Sequence, residues 1–249
     1  MRRFFTEPEN IRGDIIIIDD RDDIRHMSRV LRMSVGDEIE VSDSSEWEYR
    51  AVIKTMDRDL VEAEIVDKQK FSGEPVTDVT LLQGIPKQGK MDTVIQKTTE
   101  LGVKTIIPLF TDRVITSEKG NIPKKLERWR RIAAEAVKQC KRGVIPKVEE
   151  PVRLQEAAEK FPAFDMVLFP YENERTTTIK EALRNALKEE SKKPVKVAVI
   201  IGPEGGFSDE EAVLIKERGG RGVSLGKTIL RTETAGMAAL AMIMYELEL

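Results

Sequence analysis

Residues 197–201, Val-Ala-Val-Ile-Ile, carry no polar side chain at either parity, and a strand of that kind must be covered on both faces. Cover on both faces comes from helical crossovers, so the run commits its part of the chain to a mainly parallel sheet. A glycine loop follows, Gly202-Pro203-Glu204-Gly205-Gly206-Phe207, and then Ser208, a good helix N-cap with Glu211 three residues on where a capping box needs it. Strand, glycine loop and helix in that order make the edge at which open α/β sheets bind ligands.

The loop excludes the common phosphate ligands. Pro203 fixes φ and removes a donor where the G-x-G-x-x-G turn needs freedom, and no lysine stands where a G-x-x-x-x-G-K-[ST] loop requires one. Glu204 would repel a phosphate, so a neutral or cationic ligand suits the loop better. A second loop of the same kind lies in "SLGKTILRTETAGMAAL", residues 224–240, where Thr232 or Thr234 is expected to cap the last helix. With "LFPYE" at 168–172, three strand ends are expected to converge on one edge.

Upstream the pattern differs. "DEIEVSD", "EWEYRAVIKTM" and "DLVEAEIVDK" alternate apolar and charged residues as half-buried antiparallel strands do, and Gly73 and Pro75 end that pattern. The expected division is a small β-domain over 1–73 and an α/β domain over 74–249. Within the first, "DDIRHMSRVLRM" is expected to be a helix with Ile24, Met27, Val30 and Leu31 inward and Arg21, Arg25, Arg29 and Arg32 on another face. Within the second, strands "VTLLQGI", "KTIIPLF", "MVLFP" and "GVSLG" alternate with helices at 90–101, after Pro123, at about 177–189 and after Ser208. Gly102 is the stop of the first of these helices, and Leu126, Trp129, Ala133, Ala136, Val137 and Cys140 are the inward stripe of the second.

Net charge is -3, but it is unevenly spread: residues 1–73 hold 12 basic against 18 acidic residues and the remainder 29 against 26, so any basic surface is local. One cysteine excludes an internal disulfide, and one Cys with one His leaves no Cys/His zinc set. No apolar run approaches the ~20 residues of a membrane span, and the start lacks a signal-peptide core, so the expectation is cytoplasmic, with no membrane partner.

"GPEGGFS" followed by "LGKTILRTETA", with "PKQGKMDTVIQKTTELGV", "RWRRIAAEAVKQCKR", the "RRFF" start and "HMSRVLRMSVGD", closely resembles the RsmE family of SPOUT methyltransferases over nearly the whole chain. The departures are Cys140 where serine is usual and Gly236 in a place often alanine. The resemblance implies a PUA-like β-domain followed by an α/β domain with a C-terminal trefoil knot. It implies S-adenosylmethionine as cofactor, a homodimer, and methylation of N3 of one uridine of small-subunit (16S) ribosomal RNA near the decoding site. On this resemblance the cofactor residues are Leu168, Phe169 and Pro170 in the first loop, Ile201, Gly202, Pro203, Gly205 and Gly206 in the second, and Leu225, Gly226, Ile229, Leu230 and Thr234 in the third.

Methyl transfer from a sulfonium needs chiefly positioning, and attack by uridine N3 requires its proton to leave and the resulting charge on the carbonyl oxygens to be held. Arg231 is the first candidate for that cation and Arg142 the second, with Glu204 or Glu233 as proton acceptor or as holder of a loop. Arg2, Arg3, Arg25 and Arg29, with Lys87, Lys90 and Lys97, are candidates for RNA contacts or for an ordinary solvated face. His26 reads as a packing or RNA-backbone residue and Cys140 as a buried one. A SPOUT-family methyltransferase acting on another RNA, a non-catalytic RNA-binding module and a nucleotide-dependent enzyme on a doubly wound sheet remain the alternatives, and the missing phosphate motifs count against the last.

Overall fold

The computed structural model describes residues 3–71, 73–114, 121–189 and 196–248. They group into two units: one runs to Glu74 and includes Val137–Ile145, the other holds Pro75–Ala136 and everything from Pro146.

In the first unit six strands pair in the order β1-β4-β5-β6-β3-β2: β1 (Arg3–Phe5), β2 (Ile11–Arg12), β3 (Ile15–Ile18), β4 (Glu38–Ser42), β5 (Trp47–Met56) and β6 (Val61–Lys70). All neighbours are antiparallel except β1 beside β4. The alternation in the sequence is the cause. Ile39 and Val41, then Tyr49, Ala51 and Ile53, then Val61 and Ala63 turn into one core with Phe4, Ile16 and Ile18.

The expected helix is there, but it changes period. α1 (Arg21–Arg25) is capped by Asp20, whose carboxylate accepts from the Asp23 N–H at 2.8 Å, and it continues as a π-turn over His26–Val30. Ile24 and Met27 are buried as the stripe requires, while Val30 is 66% exposed. The Leu31 N–H bonds the His26 carbonyl five residues back, which widens the turn and rotates Val30 off the 3.6-residue stripe.

The return segment Val137–Ile145 is held by the carboxylate of Glu74. That carboxylate accepts from the backbone N–H groups of Gly143 at 2.8 Å and Val144 at 3.1 Å, and from the Arg142 guanidinium at 2.8 Å. Ser42 donates to the Gly143 carbonyl, and a Cβ on Gly143 would stand 2.3 Å from the Phe71 ring, so only glycine fits there.

In the second unit β7 (Asp78–Gly84), β8 (Thr105–Phe110), β9 (Lys147–Val148), β10 (Val152–Arg153), β11 (Met166–Pro170), β12 (Lys196–Ile201) and β13 (Arg221–Val223) form a sheet whose pairs are all parallel. The order is β10-β8-β7-β12-β11-β13, with β9 also on β8. The helices are α2 (Lys90–Glu100), α3 (Ile122–Cys140), α4 (Leu154–Ala158), α5 (Ile179–Glu189), α6 (Asp209–Glu217) and α7 (Thr232–Glu248). Residues 197–201 are all buried in β12, between β7 and β11. Ala198 and Ile200 pack with Leu82, Phe161, Phe169, Ala212 and Ile215, while α7 packs on β7 and β12 and touches α2 and α5. β9, β10 and α4 are too short to announce themselves by periodicity.

Details of the helices follow the sequence in most places. α2 buries Met91, Val94, Ile95 and Thr98 and stops at Gly102, φ +96°. α3 buries Leu126, Trp129, Ala133, Ala136 and Val137, but Cys140 at its end is only half-buried. The Ser208–Glu211 capping box is complete. α7 starts at Thr232, so neither threonine is its N-cap; the carbonyl of Arg231 takes that place and accepts from the N–H groups of Thr234 at 2.9 Å and Ala235 at 2.8 Å. No helix among the described residues is long and apolar enough to cross a membrane.

The glycine loop lies directly over the end of β7. A Cβ on Gly84 would stand 2.6 Å from Cδ and 2.7 Å from the backbone nitrogen of Pro203, whereas one on Gly236 would meet Gln83 Oε1 at 3.4 Å and Leu81 at 3.7 Å. Gly84→Ala is therefore expected to lose about 1–3 kcal/mol in denaturant unfolding. Gly236→Ala, in ordinary contact within a helix, is expected to gain about 0.5–1 kcal/mol. Equal stabilities for the two variants would contradict this packing.

Candidate functional site

The strands β12, β11 and β13 are neighbours and parallel, so their carboxyl ends share one edge. The segments leaving those ends, with Lys90 and the first turn of α7, enclose a cavity of about 960 Å³. Open parallel sheets bind ligands at such an edge.

The first wall comes from β11. Pro170, Tyr171, Glu172 and Glu174 line it, and the Tyr171 ring stacks on Phe169 with centroids 5.0 Å apart. Phe169 in turn meets Phe207 edge to face at 5.3 Å. Leu168 and Phe169 are thus fully buried beneath the cavity instead of lining it, and Phe169 braces both Tyr171 and the end of the glycine loop. Hydrogen bonds from the Thr176 hydroxyl and backbone N–H hold the Glu174 carboxyl below its usual value.

The second wall is the glycine loop. Ile201, Gly202, Pro203, Glu204, Gly206 and Phe207 line the cavity, and a turn closed by the Gly206 N–H on the Pro203 carbonyl at 2.9 Å gives the loop its shape. Gly206 has φ +68°, which favours glycine. Gly205 is used differently from the sequence expectation: its carbonyl accepts from the Arg113 guanidinium at 2.6 Å, and a Cβ there would meet the Arg113 side chain at 3.2 Å. Gly205 therefore packs on Arg113 and does not line the cavity.

The third wall runs from Val223 to Thr232. Leu225, Gly226, Ile229, Leu230 and Arg231 line it, and Ile229 is 80% exposed. Gly226 donates to the Ser224 hydroxyl at 3.2 Å and has φ +146°. Arg231 caps α7 with its backbone while its side chain is left exposed in the cavity wall. Thr234, on the first turn of α7, is exposed outside the cavity.

The remaining charged candidates separate clearly. Lys90 Nζ lies 3.0 Å from Glu204 Oε1 and 3.5 Å from Glu233 Oε2, and the Glu204 carboxylate also accepts from the Lys87 N–H at 3.2 Å. Burial disfavours the charge on Glu204, but its own backbone N–H, Lys90 and Lys87 together outweigh that and hold the carboxyl below its usual value. The hydrogen bond to Glu204 likewise raises Lys90 above its usual value. A carboxylate so stabilised is a poor proton acceptor, and Glu204 is a tether between the glycine loop and the start of α2. Lys90 is a member of that tether, and Lys97 pairs with Glu100 at 2.8 Å.

In the first unit Arg142 is buried and paired with Glu74, which commits it to the return segment. Arg3 is likewise committed, to Glu48 and to the carbonyls of Lys141 at 2.8 Å and Arg142 at 3.2 Å. Arg25 is exposed beside Asp22 at 3.3 Å, Arg29 and His26 are exposed, and Arg2 lies outside the described residues.

Residues 72–244 match the family described as RNA methyltransferase domain, and residues 18–66 match the RNA methyltransferase PUA domain. Ribosomal RNA small subunit methyltransferase E of Bacillus subtilis (strain 168) is 31% identical over 229 residues, 92% of this chain and 89% of the relative. Its namesake in Aquifex aeolicus (strain VF5) is 31% identical over 245 residues, covering 98% and 99%. Among solved structures, ribosomal RNA small subunit methyltransferase E from Neisseria gonorrhoeae, bound to S-adenosyl methionine, superposes with a TM-score of 0.83 at 30% identity, covering 98% and 97%. A putative methyltransferase from Legionella pneumophila in complex with the same cofactor gives 0.80 at 32% identity, covering 98% and 96%.

The depressed Glu204 carboxyl has a consequence for acid stability. A carboxyl whose folded value lies below its unfolded one contributes stability that is complete above the ordinary carboxylate range and is lost as pH falls through the folded value. Glu204→Gln removes that contribution, so the melting-temperature gap between the protein and the variant is expected to be widest near neutral pH and to narrow as pH falls through and below the ordinary carboxylate range. A gap that stays constant across that range would show that Glu204 does not hold the loop through its charge.

Proposed function

Because the chain belongs to the ribosomal RNA small subunit methyltransferase E family, we propose that it transfers a methyl group from S-adenosylmethionine to N3 of one uridine of small-subunit (16S) ribosomal RNA near the decoding site. The observation that carries this reading is the cavity edged by three strand-end loops with an exposed arginine in its wall. Its chemistry fits the cofactor: Ile201, Val223, Leu225 and Leu230 offer apolar contact for an adenosine, Gly202 and Gly206 present bare backbone, and Glu172 and Glu174 are carboxylates suited to a cation. When bound, the cofactor supplies an electrophilic methyl group on a positively charged sulfur. Pro170, Ile201, Gly202, Pro203, Gly206, Leu225, Gly226, Ile229 and Leu230 are the residues that would hold it, with Leu168, Phe169, Gly205 and Thr234 supporting those walls from behind or beside.

Uridine N3 carries a proton, and its loss spreads negative charge onto the flanking carbonyl oxygens. In this reading the Arg231 guanidinium holds that charge, which is supported by its backbone being fixed at the start of α7 while its side chain is left to the cavity. Arg142 is the second candidate for that charge, and in the first unit Glu74 holds its guanidinium. Arg25 and Arg29 of the PUA-type unit are proposed phosphate contacts, with Lys87 beside the second unit's cavity. The reading carries with it the C-terminal knot, a cytoplasmic place of work, and a homodimer. The homodimer is supported by α7, whose exposed Met242 and Tyr245 belong to a helix apolar on nearly every side. A solution mass near 28.2 kDa by light scattering, in place of twice that value, would remove the dimer.

Arg231→Ala keeps the capping carbonyl and is expected to slow single-turnover methylation of small-subunit ribosomal RNA by about 10²–10³. Cofactor affinity should stay within a few-fold, and the rate should rise more steeply with pH, because without the cation loss of the N3 proton is less favoured and depends more on the pH of the solution. Arg231→Lys should recover only part of the rate, since an ammonium lacks the planar fork. Weaker RNA or cofactor binding with an unchanged rate at saturation would assign Arg231 to grip instead of chemistry, and mass spectrometry placing the methyl elsewhere than N3 would end the substrate assignment.

A further inference from the structure

Beneath the glycine loop runs a buried chain of hydrogen bonds that none of the loop's own residues requires. Gln83, near the end of β7, is fully buried, and its amide nitrogen donates twice, to the Gly84 carbonyl at 2.9 Å and to the Thr232 hydroxyl at 2.9 Å. A carbonyl can only accept, so the nitrogen and not the oxygen of the amide must face Gly84, which settles the orientation of the side chain. The Thr232 hydroxyl therefore receives a proton from Gln83, and its own single proton goes to the Gly202 carbonyl at 2.6 Å. The chain of bonds has one direction, from β7 through the first residue of α7 to the first glycine after β12.

This arrangement is kept against the interest of the core. Gln83 Oε1 is buried and has no hydrogen-bond partner, a condition rare in folded proteins and concentrated where something other than stability is served. An apolar side chain of the same length would fill the position without that penalty. What the amide supplies instead is direction at Gly202. Gly202 and Thr232 both line the cavity, and the next residue, Pro203, is already pressed against Gly84. The loop is thus held from below by backbone contact and its first carbonyl by a single oriented hydroxyl.

We infer that Gln83 and Thr232 are positioning residues for methyl transfer: their relay fixes the Gly202 carbonyl, and through it the glycine loop, in the orientation that receives the cofactor. The inference rests on the reading of the cavity as an S-adenosylmethionine site. Neither side chain touches reacting atoms, and both act through Gly202.

The test is calorimetric titration of the full chain with S-adenosylmethionine, together with melting of the same proteins without ligand. Thr232→Val has the same shape and no proton to give, and is expected to bind about tenfold more weakly. Thr232→Ser restores the hydroxyl and should bind within about twofold of the parent protein. Gln83→Met removes the donor and the unpaired oxygen together, so it should bind about fivefold to tenfold more weakly while melting no lower than the parent. A merely structural role predicts the opposite pattern, lower melting temperatures with unchanged affinity, and that result overturns the relay. If Thr232→Val does not fold, Gln83→Met decides alone. Failure of the parent protein to bind the cofactor would instead bring down the reading of the site, and it is told apart because it needs no variant.

Discussion

A strand with no polar side chain can be accommodated only where both of its faces and both of its edges are covered, and β12 meets that condition between β7 and β11. Everything at the site is a consequence of where that strand must end. Because its neighbours run parallel to it, the loops after β11, β12 and β13 emerge at the same edge. The glycine loop, being central, has β7 directly beneath it. Gly84 has no room for a side chain for that reason, and Pro203 closes the gap from above. The cavity is thus built by sheet order before any single lining residue is chosen.

Around the site and the return segment, carboxylates are used to fix loops. Glu204 and Glu233 hold Lys90 across more than a hundred residues of chain, Glu74 holds Arg142 and two backbone N–H groups, and Glu211 caps α6 while also accepting from the Asp112 N–H at 2.9 Å. Each of these carboxylates spans two segments that would otherwise be joined only by packing. Such pairs are modest in stability when exposed, but they determine where a loop lies, which is what a site needs. Arg231 differs from them. Its backbone is committed to α7, while its side chain stays exposed.

Much of this was legible in the sequence because it rests on local rules. The β-branched run of β12, the Ser208–Glu211 box, the Gly102 stop and the inward stripe of α3 from Leu126 to Val137 each follow from residues close to one another in the chain. What was not legible depends on distance along the chain or on a changed period. Nothing near Val30 announces that a π-turn will push it into solvent. Arg142 looked available because Glu74 is 68 residues away, and Lys90 looked like an RNA contact because its partners are 114 and 143 residues distant. Gly205 looked like a cofactor contact, but the group packed on it is Arg113, 92 residues away in the chain.

Gln83 marks the limit of sequence reading most clearly. In "VTLLQGI" it looks like a polar flaw in an apolar strand, and periodicity gives it no purpose. Only the fold brings Thr232 and the Gly84 carbonyl to its amide, and only the rule that a carbonyl cannot donate turns two distances into a direction. The same reasoning explains why Thr232 is not a helix cap. A threonine one residue earlier would spend its oxygen on the N–H groups of α7, which the Arg231 carbonyl already serves, whereas at the first helical position its hydroxyl is left to reach Gly202. The helix start is displaced by one residue from where capping preference would put it, and that displacement is what connects α7 to the glycine loop.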